Sequence, residues 1–339
     1  MTKLEPWASV RDRVEWRAIL LGNGASQQVW SSFGYRSLYE VARNVENPLR
    51  PEDEVIFQRL RTRDFEKVLH ALRDAHIVNE ALGLEAQKVA SRYCEIQRAL
   101  GEAVAKTHIP WEWVPQVVLR TISSELVKHR FVFSTNYDLL VYWAILCDDP
   151  RPQDVKDFFW TPGPEEEWLL FDPSDTETPK DVTRVLYLHG GLHLYSLFDG
   201  STAKYVPAEG ENLLDAFQRF MRDQDPFGPI PLLVTEGDPE DKRAVIESSS
   251  YLSFGYQKLV TCQEPIVVFG HALGDSDIHI AKALNRHLPI AISLLPGTPE
   301  EIKERQAHYE QRLPRARLHF FDATTHPLGD SSLRIDPEE

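Results

Sequence analysis

Four short segments far apart in the chain carry residue types that read as parts of one dinucleotide site. In Leu20-Leu21-Gly22-Asn23-Gly24-Ala25-Ser26 the glycines permit a tight turn and close backbone approach, and exposed N–H groups there can bind an anion. Phe133-Ser134-Thr135-Asn136-Tyr137-Asp138 offers an amide and a carboxylate; an asparagine both donates and accepts, so it can hold a ribose hydroxyl and orient a water. Leu188-His189-Gly190-Gly191 places an imidazole, which titrates near neutrality and can serve as a general base, in a loop too glycine-rich to be chosen for packing. Phe269-Gly270-His271-Ala272-Leu273-Gly274-Asp275 repeats the arrangement near the C-terminus. Each segment follows an apolar run that reads as a buried strand, so each falls at a strand's carboxyl end, the edge where open α/β sheets collect ligands.

Plainer readings stand beside these. Gly22 to Ser26 also fits a strand-to-helix turn, since Gln27 stands where G-x-G-x-x-G requires its third glycine, and no P-loop pattern occurs. Asn136 and Asp138 fit an Asx-turn, and His189 fits a loop hydrogen-bonder. His193 is expected to face away from His189, which argues against a metal held by that pair. Asp275, Ser276 and Asp277 fit the cap of a helix, with a ribose-binding carboxylate as the sharper alternative. Glu165-Glu166-Glu167 reads as a solvated loop.

The elements that must position these residues follow from periodicity. A first strand is expected over 15–21, then a mostly helical stretch over 38–128. There Phe65, Val68, Leu69 and Leu72 share one helical face, and Val89, Tyr93, Ile96, Leu100 and Val104 another. Asn47-Pro48-Leu49-Arg50-Pro51 must break that stretch, because proline cannot sit in a helix interior. Strands are expected over 130–134, 185–188, 231–235, 265–269, 289–294 and 316–321. Helices are expected over 139–146, 242–260, 275–287 and 299–311, with Leu213, Leu214, Phe217, Phe220 and Met221 marking one more. The segment 148–181 reads as a loop interrupted by Trp168-Leu169-Leu170-Phe171, and Leu192 to Tyr195 as a short β-excursion. The fold class is therefore α/β, a Rossmann-like, mainly parallel sheet flanked by helices, with a helical insertion after the first strand. The expected organisation is a core of 1–37 with 129–322, an insertion of 38–128, and a polar, frayed tail of 323–339.

Composition excludes several classes. The 339 residues carry 42% hydrophobic content, ordinary for a globule able to bury a large core. No apolar run approaches the roughly 20 residues needed to span a bilayer, and no secretory stretch opens the chain, so a cytoplasmic protein without membrane contact is expected. Cys94, Cys147 and Cys262 are isolated, with no Cys-x-x-Cys pair, which speaks against a zinc module or a disulfide framework. A net charge of −15 without a basic stripe disfavours direct nucleic-acid binding.

Taken in order, Gly22 to Ser26, Thr135-Asn136-Tyr137-Asp138, His189-Gly190 and Phe269-Gly270 resemble the sirtuin superfamily, in particular its bacterial NAD-hydrolysing branch from antiphage defence systems. Phe33-Gly34-Tyr35-Arg36-Ser37-Leu38-Tyr39, Val234-Thr235-Glu236-Gly237 and Asp277-Ile278-His279-Ile280 look like an uncharacterised bacterial family within that superfamily. The likeness spans about residues 20–283. It departs from protein-deacylating sirtuins in lacking the zinc module of two Cys-x-x-Cys pairs. It departs again in placing His271-Ala272 where they carry Thr-Ser after the late glycine, and Ser134-Thr135-Asn136 in place of Thr-Gln-Asn.

The resemblance implies an NAD+ glycohydrolase releasing nicotinamide and ADP-ribose, with NAD+ as substrate and neither a prosthetic group nor a metal. Asn136 would orient the water and ribose hydroxyls, and His189 would act as base. Gly22, Gly24, Ala25 and Ser26 would receive the diphosphate, while Thr135, Asp138, Gly190, Gly270, His271 and Asp275 complete the cofactor contacts. It further implies an NAD-depleting role in antiviral defence by abortive infection, a homo-oligomer whose contact is the 38–128 insertion, and a HerA-type translocase or other defence protein as partner. A non-catalytic NAD or ADP-ribose sensor or scaffold is the alternative, and a deacylase a third reading.

Overall fold

The structure, a computed structural model, describes residues 4–34, 37–147, 155–163, 167–174, 182–222, 228–234, 239–286 and 288–335. Tyr35-Arg36, Glu165-Glu166 and Thr235-Glu236-Gly237, named above, and position 287, the end of one expected helix, lie outside the described residues.

In chain order the strands are β1 (Glu5–Pro6), β2 (Ala18–Leu21), β3 (Phe131–Ser134), β4 (Val155–Lys156), β5 (Phe159–Pro162), β6 (Trp168–Phe171), β7 (Thr183–Tyr187), β8 (Gly190–Ser196), β9 (Thr202–Tyr205), β10 (Ile230–Leu233), β11 (Ile266–Phe269), β12 (Pro289–Leu294) and β13 (Arg317–Asp322). Eight of them form one sheet in the order β1-β13-β12-β11-β2-β3-β7-β4, and every pairing in it is parallel. The central strands read as unbroken apolar runs because both faces are covered: Ala18-Ile19-Leu20-Leu21 and Ile266-Val267-Val268-Phe269 are buried at every position. The α/β, Rossmann-like reading of the sequence is what the chain adopts.

Register does the positioning. Leu21 lies opposite Phe269 on one side and Ser134 on the other, and Ser134 lies opposite Tyr187. The loops that begin at Gly22, Thr135, Leu188 and Gly270 therefore leave the sheet side by side.

Between β2 and β3 come six helices: α2 (Asn23–Val29), α3 (Leu38–Ala42), α4 (Pro51–Arg59), α5 (Phe65–Ala81), α6 (Ala86–Thr107) and α7 (Gln116–Leu126), after a short α1 (Trp7–Arg11) near the start. Pro51 opens α4 at its first turn, as its missing N–H allows. Asp64 caps α5 by accepting the N–H of Lys67. Phe65, Val68, Leu69 and Leu72 are buried on α5, and Tyr93, Ile96, Leu100 and Val104 on α6. These helices pack on each other, and α6 also packs on α3 and on α9 (Leu213–Arg222), after α8 (Leu140–Leu146). No helix among the described residues is long and apolar enough to cross a membrane.

Several expectations change. The segment 148–181, read as an interrupted loop, supplies β4, β5 and β6, and a second, antiparallel sheet runs β10-β8-β9-β6-β5. Strand β10 belongs to that sheet, pairing antiparallel with β8, rather than to the parallel one. The helix expected over 242–260 is two, α10 (Pro239–Ser248) and α11 (Ser250–Thr261), because Ser249 is extended and its hydroxyl caps the second by accepting the N–H of Leu252. The helix expected from Asp275 is a tight turn over Asp275–Asp277 followed by α12 (Ile278–Leu284); α13 (Pro299–Arg312) falls where periodicity put it. The expected frayed tail is instead ordered through residue 335. Its short turns bury His326, Leu328 and Leu333, and the Ile335 N–H donates to the Val29 carbonyl at 2.8 Å.

Candidate functional site

The glycine loop and the late glycine loop are pressed together. Gly22 N–H donates to the Phe269 carbonyl (2.9 Å), and Gly24 N–H to that of Gly270 (2.8 Å). A Cβ on Gly270, whose φ is +67°, would sit 2.4 Å from the Ala25 nitrogen, so only glycine fits there.

Beside this seam, Asn136 is buried and its amide nitrogen donates to the Gly22 carbonyl (3.0 Å) and to Ser26 Oγ (2.8 Å). A carbonyl only accepts, so the contact with Gly22 fixes which end of the amide is nitrogen. Ser26 passes its own hydrogen to Asp138 Oδ2 (2.5 Å), and Asp138 Oδ1 accepts the Leu140 N–H (3.0 Å). Burial raises the Asp138 carboxyl above its ordinary range, against the pull of Ser26 and Leu140. The relay leaves Asn136 Oδ1 buried without a hydrogen-bond partner.

Asn136 and His189 line the same cavity of about 370 Å³, together with Phe33, Thr135, Asp138, Lys242, Gly270, His271 and Asp277. His189 sits in the turn between β7 and β8, where its carbonyl accepts the Val234 N–H (2.9 Å) and its Nε2 meets His279 Nε2 at 3.0 Å. Burial holds the His189 imidazole well below its ordinary value, and the Lys242 ammonium adds to this. His271 and His279 are each lowered to about 4, burial being the main cause. Asp277 falls to about 2: burial alone would raise it, but His189 and Lys242 outweigh that. With the histidines neutral at pH 7, the Lys242 ammonium, 2.8 Å from Asp277 Oδ1, carries this effect.

A larger cavity of about 830 Å³ lies on the other side of the seam, lined by Gly24, Gln27, Ser293, Arg305, His308 and Tyr309, and it shares Gly270, His271 and Ala272 with the smaller one.

The structure thus brings Asn136, His189, Thr135, Asp138, Gly270 and His271 to one cavity. Six expected contact residues are absent from that lining. The N–H groups of Gly22, Gly24 and Ala25 are taken by the carbonyls of Phe269, Gly270 and Gly22, so they are not free to bind a diphosphate. The Ser26 hydroxyl is spent between Asn136 and Asp138. Gly190, with φ +73°, packs where a Cβ would meet the Leu232 carbonyl at 1.9 Å, so it serves backbone packing rather than a ligand. Asp275 is exposed and paired with Arg312, away from the cavity; Ser276 and Asp277 line it instead. His193 is buried between Tyr142 and Tyr187, outside the cavity lining.

Lys242 and His279 were not singled out for chemistry by sequence. Lys242 sits on a polar helix with no local signal, and His279 was visible only as part of Asp277-Ile278-His279-Ile280.

No curated protein matches the chain. Residues 19–328 match the family described as a domain of unknown function, DUF4917, a span that takes in the antiparallel sheet, the parallel sheet except β1 and Ala18, and every loop of the site, and the chain belongs to that family.

Proposed function

We propose that the chain is an NAD+ hydrolase of sirtuin-like type, cleaving the nicotinamide–ribose bond to give nicotinamide and ADP-ribose. The observation that carries this reading is the convergence of Asn136 and His189 on one cavity at the carboxyl edge of the parallel sheet, with Asn136 Oδ1 buried and unpartnered. In cleavage the C1′–N bond breaks and its electrons neutralise the departing pyridinium nitrogen. Water adds to the ribose carbon and gives up a proton. Positive charge grows on the sugar, as in other glycosidic cleavages. A fixed amide oxygen suits a ribose hydroxyl or the attacking water, and a neutral imidazole suits the proton. The nicotinamide riboside would occupy the smaller cavity and the adenosine the larger, crossing at Gly270 to Ala272. With the glycine-loop amides committed, Arg305 in the larger cavity and Lys242 in the smaller would supply positive charge for the diphosphate.

Nicotinamide release from NAD+ by the purified protein tests the reading. Asn136→Ala and His189→Ala are each expected to lower the rate at least about a hundredfold with the fold intact. Full turnover in both variants would overturn the mechanism.

The His189–His279 contact, which leaves the would-be base already engaged, favours a second reading: a site that binds NAD or ADP-ribose without cleaving it. Calorimetric titration run beside the release assay separates the two. The defence role, the homo-oligomer and a HerA-type or other partner remain part of the proposal through the resemblance alone. An enzyme that drains NAD+ must be held inactive to spare its host, and an oligomer or partner would supply that restraint.

A further inference from the structure

At the inner end of the smaller cavity three side chains converge from two separate segments: His189 from the turn after β7, and Asp277 and His279 from the turn and helix that follow β11. One nitrogen or oxygen from each lies within 4.8 Å of the other two. The two rings meet through Nε2 at 3.0 Å, and His279 Nδ1 is buried with no hydrogen-bond partner. A neutral imidazole carries one N–H and one lone pair. Whichever tautomer His279 adopts, it is left with a buried N–H or lone pair that the chain does not answer. Nδ1 is not the nitrogen that meets His189, so it marks the ring as only partly used by the chain, and the atom that would face a metal is the Nε2 of the shared contact.

Two imidazoles and a carboxylate are a donor set that suits zinc and its neighbours better than magnesium or calcium, which prefer oxygen alone. Bonds of about 2.0 Å in tetrahedral array place ligand atoms roughly 3.3 Å apart. The ring nitrogens already stand near that spacing, and the widest pair needs to close by at most roughly 1.5 Å. His189 and Asp277 both line the cavity, so the positions not filled by protein face it. Lys242 holds Asp277 Oδ1 and competes for the carboxylate.

We propose that His189, Asp277 and His279 form a binding site for a divalent transition-metal ion of the zinc class, open to the smaller cavity. A neutral imidazole has a single lone pair, so metal binding by His189 and proton abstraction by it exclude each other at any one moment.

The test uses the full chain, stripped with chelator and free of nucleotide. Zn²⁺ binding is measured by equilibrium dialysis, and Co²⁺ binding by its visible absorbance. One ion per chain is expected. Affinity should fall at least about tenfold in Asp277→Asn and in His279→Gln, and rise in Lys242→Met, where the carboxylate is released. Circular dichroism confirms that each variant is folded; if His279→Gln is not, Asp277→Asn decides. Absence of saturable one-to-one binding, or affinity unchanged in folded Asp277→Asn, overturns the proposal. Nicotinamide release plays no part in these readouts, so their failure leaves the hydrolase reading standing, and failure of that reading leaves the metal site untouched.

Discussion

At the scale of single residues, Asn136 shows how a side chain is prepared for a ligand. Its nitrogen is held by Gly22 and Ser26, and its oxygen is left with nothing to accept from. Ser26 is the pivot, receiving from Asn136 and donating to Asp138. Ser26→Ala strips a partner from two buried groups at once, and a stability loss of about 1–3 kcal/mol is expected in denaturant unfolding. A loss below about 0.5 kcal/mol, the range of ordinary surface substitutions, would show that the relay does not operate. That Asn136 and His189 would meet at one cavity was legible in the sequence, because both follow strands at the same sheet edge. The sequence misassigned Ser26, since a serine after glycines suits a phosphate equally well. Lys242 and His279 were illegible in role: their partners lie 35 and 90 residues away, at Asp277 and His189.

At the scale of elements, the helical insertion is tied to the site by one buried carboxylate and by His108, whose Nε2 accepts the Leu139 N–H next to Asp138. Glu66 on α5 is buried and accepts the Leu233 N–H at 3.0 Å, and the next residue, Val234, donates to the His189 carbonyl. Burial raises the Glu66 carboxyl above its ordinary range, with the His70 side chain pulling the other way. Glu66→Leu leaves a buried N–H unanswered and is expected to cost about 1–3 kcal/mol. Glu66→Gln, which keeps an acceptor, should cost less. Thermal melts of the two variants check the ordering, and equal losses would argue that the carboxylate only packs. The parallel strands were legible from their continuous apolar runs. The antiparallel sheet was not, because β5 and β6 are four residues each and carry Trp and Pro, and β6 joins the rest of the sheet through β9, with Trp168 opposite Tyr205. Strand β10 looked like a member of a βα alternation, yet its partner is β8; pattern gives an element's type but not its sheet.

For the whole molecule, buried histidines set the response to acid. Burial lowers His108 and His129 to about 4 and His326 to about 3. The unfolded chain takes up these protons near pH 6.5, while the folded chain refuses them until far lower. Below pH 6.5 the unfolded state therefore binds more protons, and stability falls as pH falls. By pH 5 each of these groups costs about 2 kcal/mol. Asp138 and Glu66, raised by burial, act in the opposite direction as they protonate. Calorimetry is expected to show Tm dropping between pH 7 and pH 5; a Tm that holds or climbs over that range would contradict this account. The ordered C-terminal turns carry a last consequence. Ile335 is fastened to the end of α2, and Gly329 sits so close to the Ala323 carbonyl that a Cβ would approach it to 1.9 Å. A stop codon placed after Asp322 would delete neither Asn136 nor His189, yet it would uncover the helix that carries Ser26. Loss of this unassuming stretch should be felt as a slackened amide at the cavity wall, about two hundred positions away along the chain.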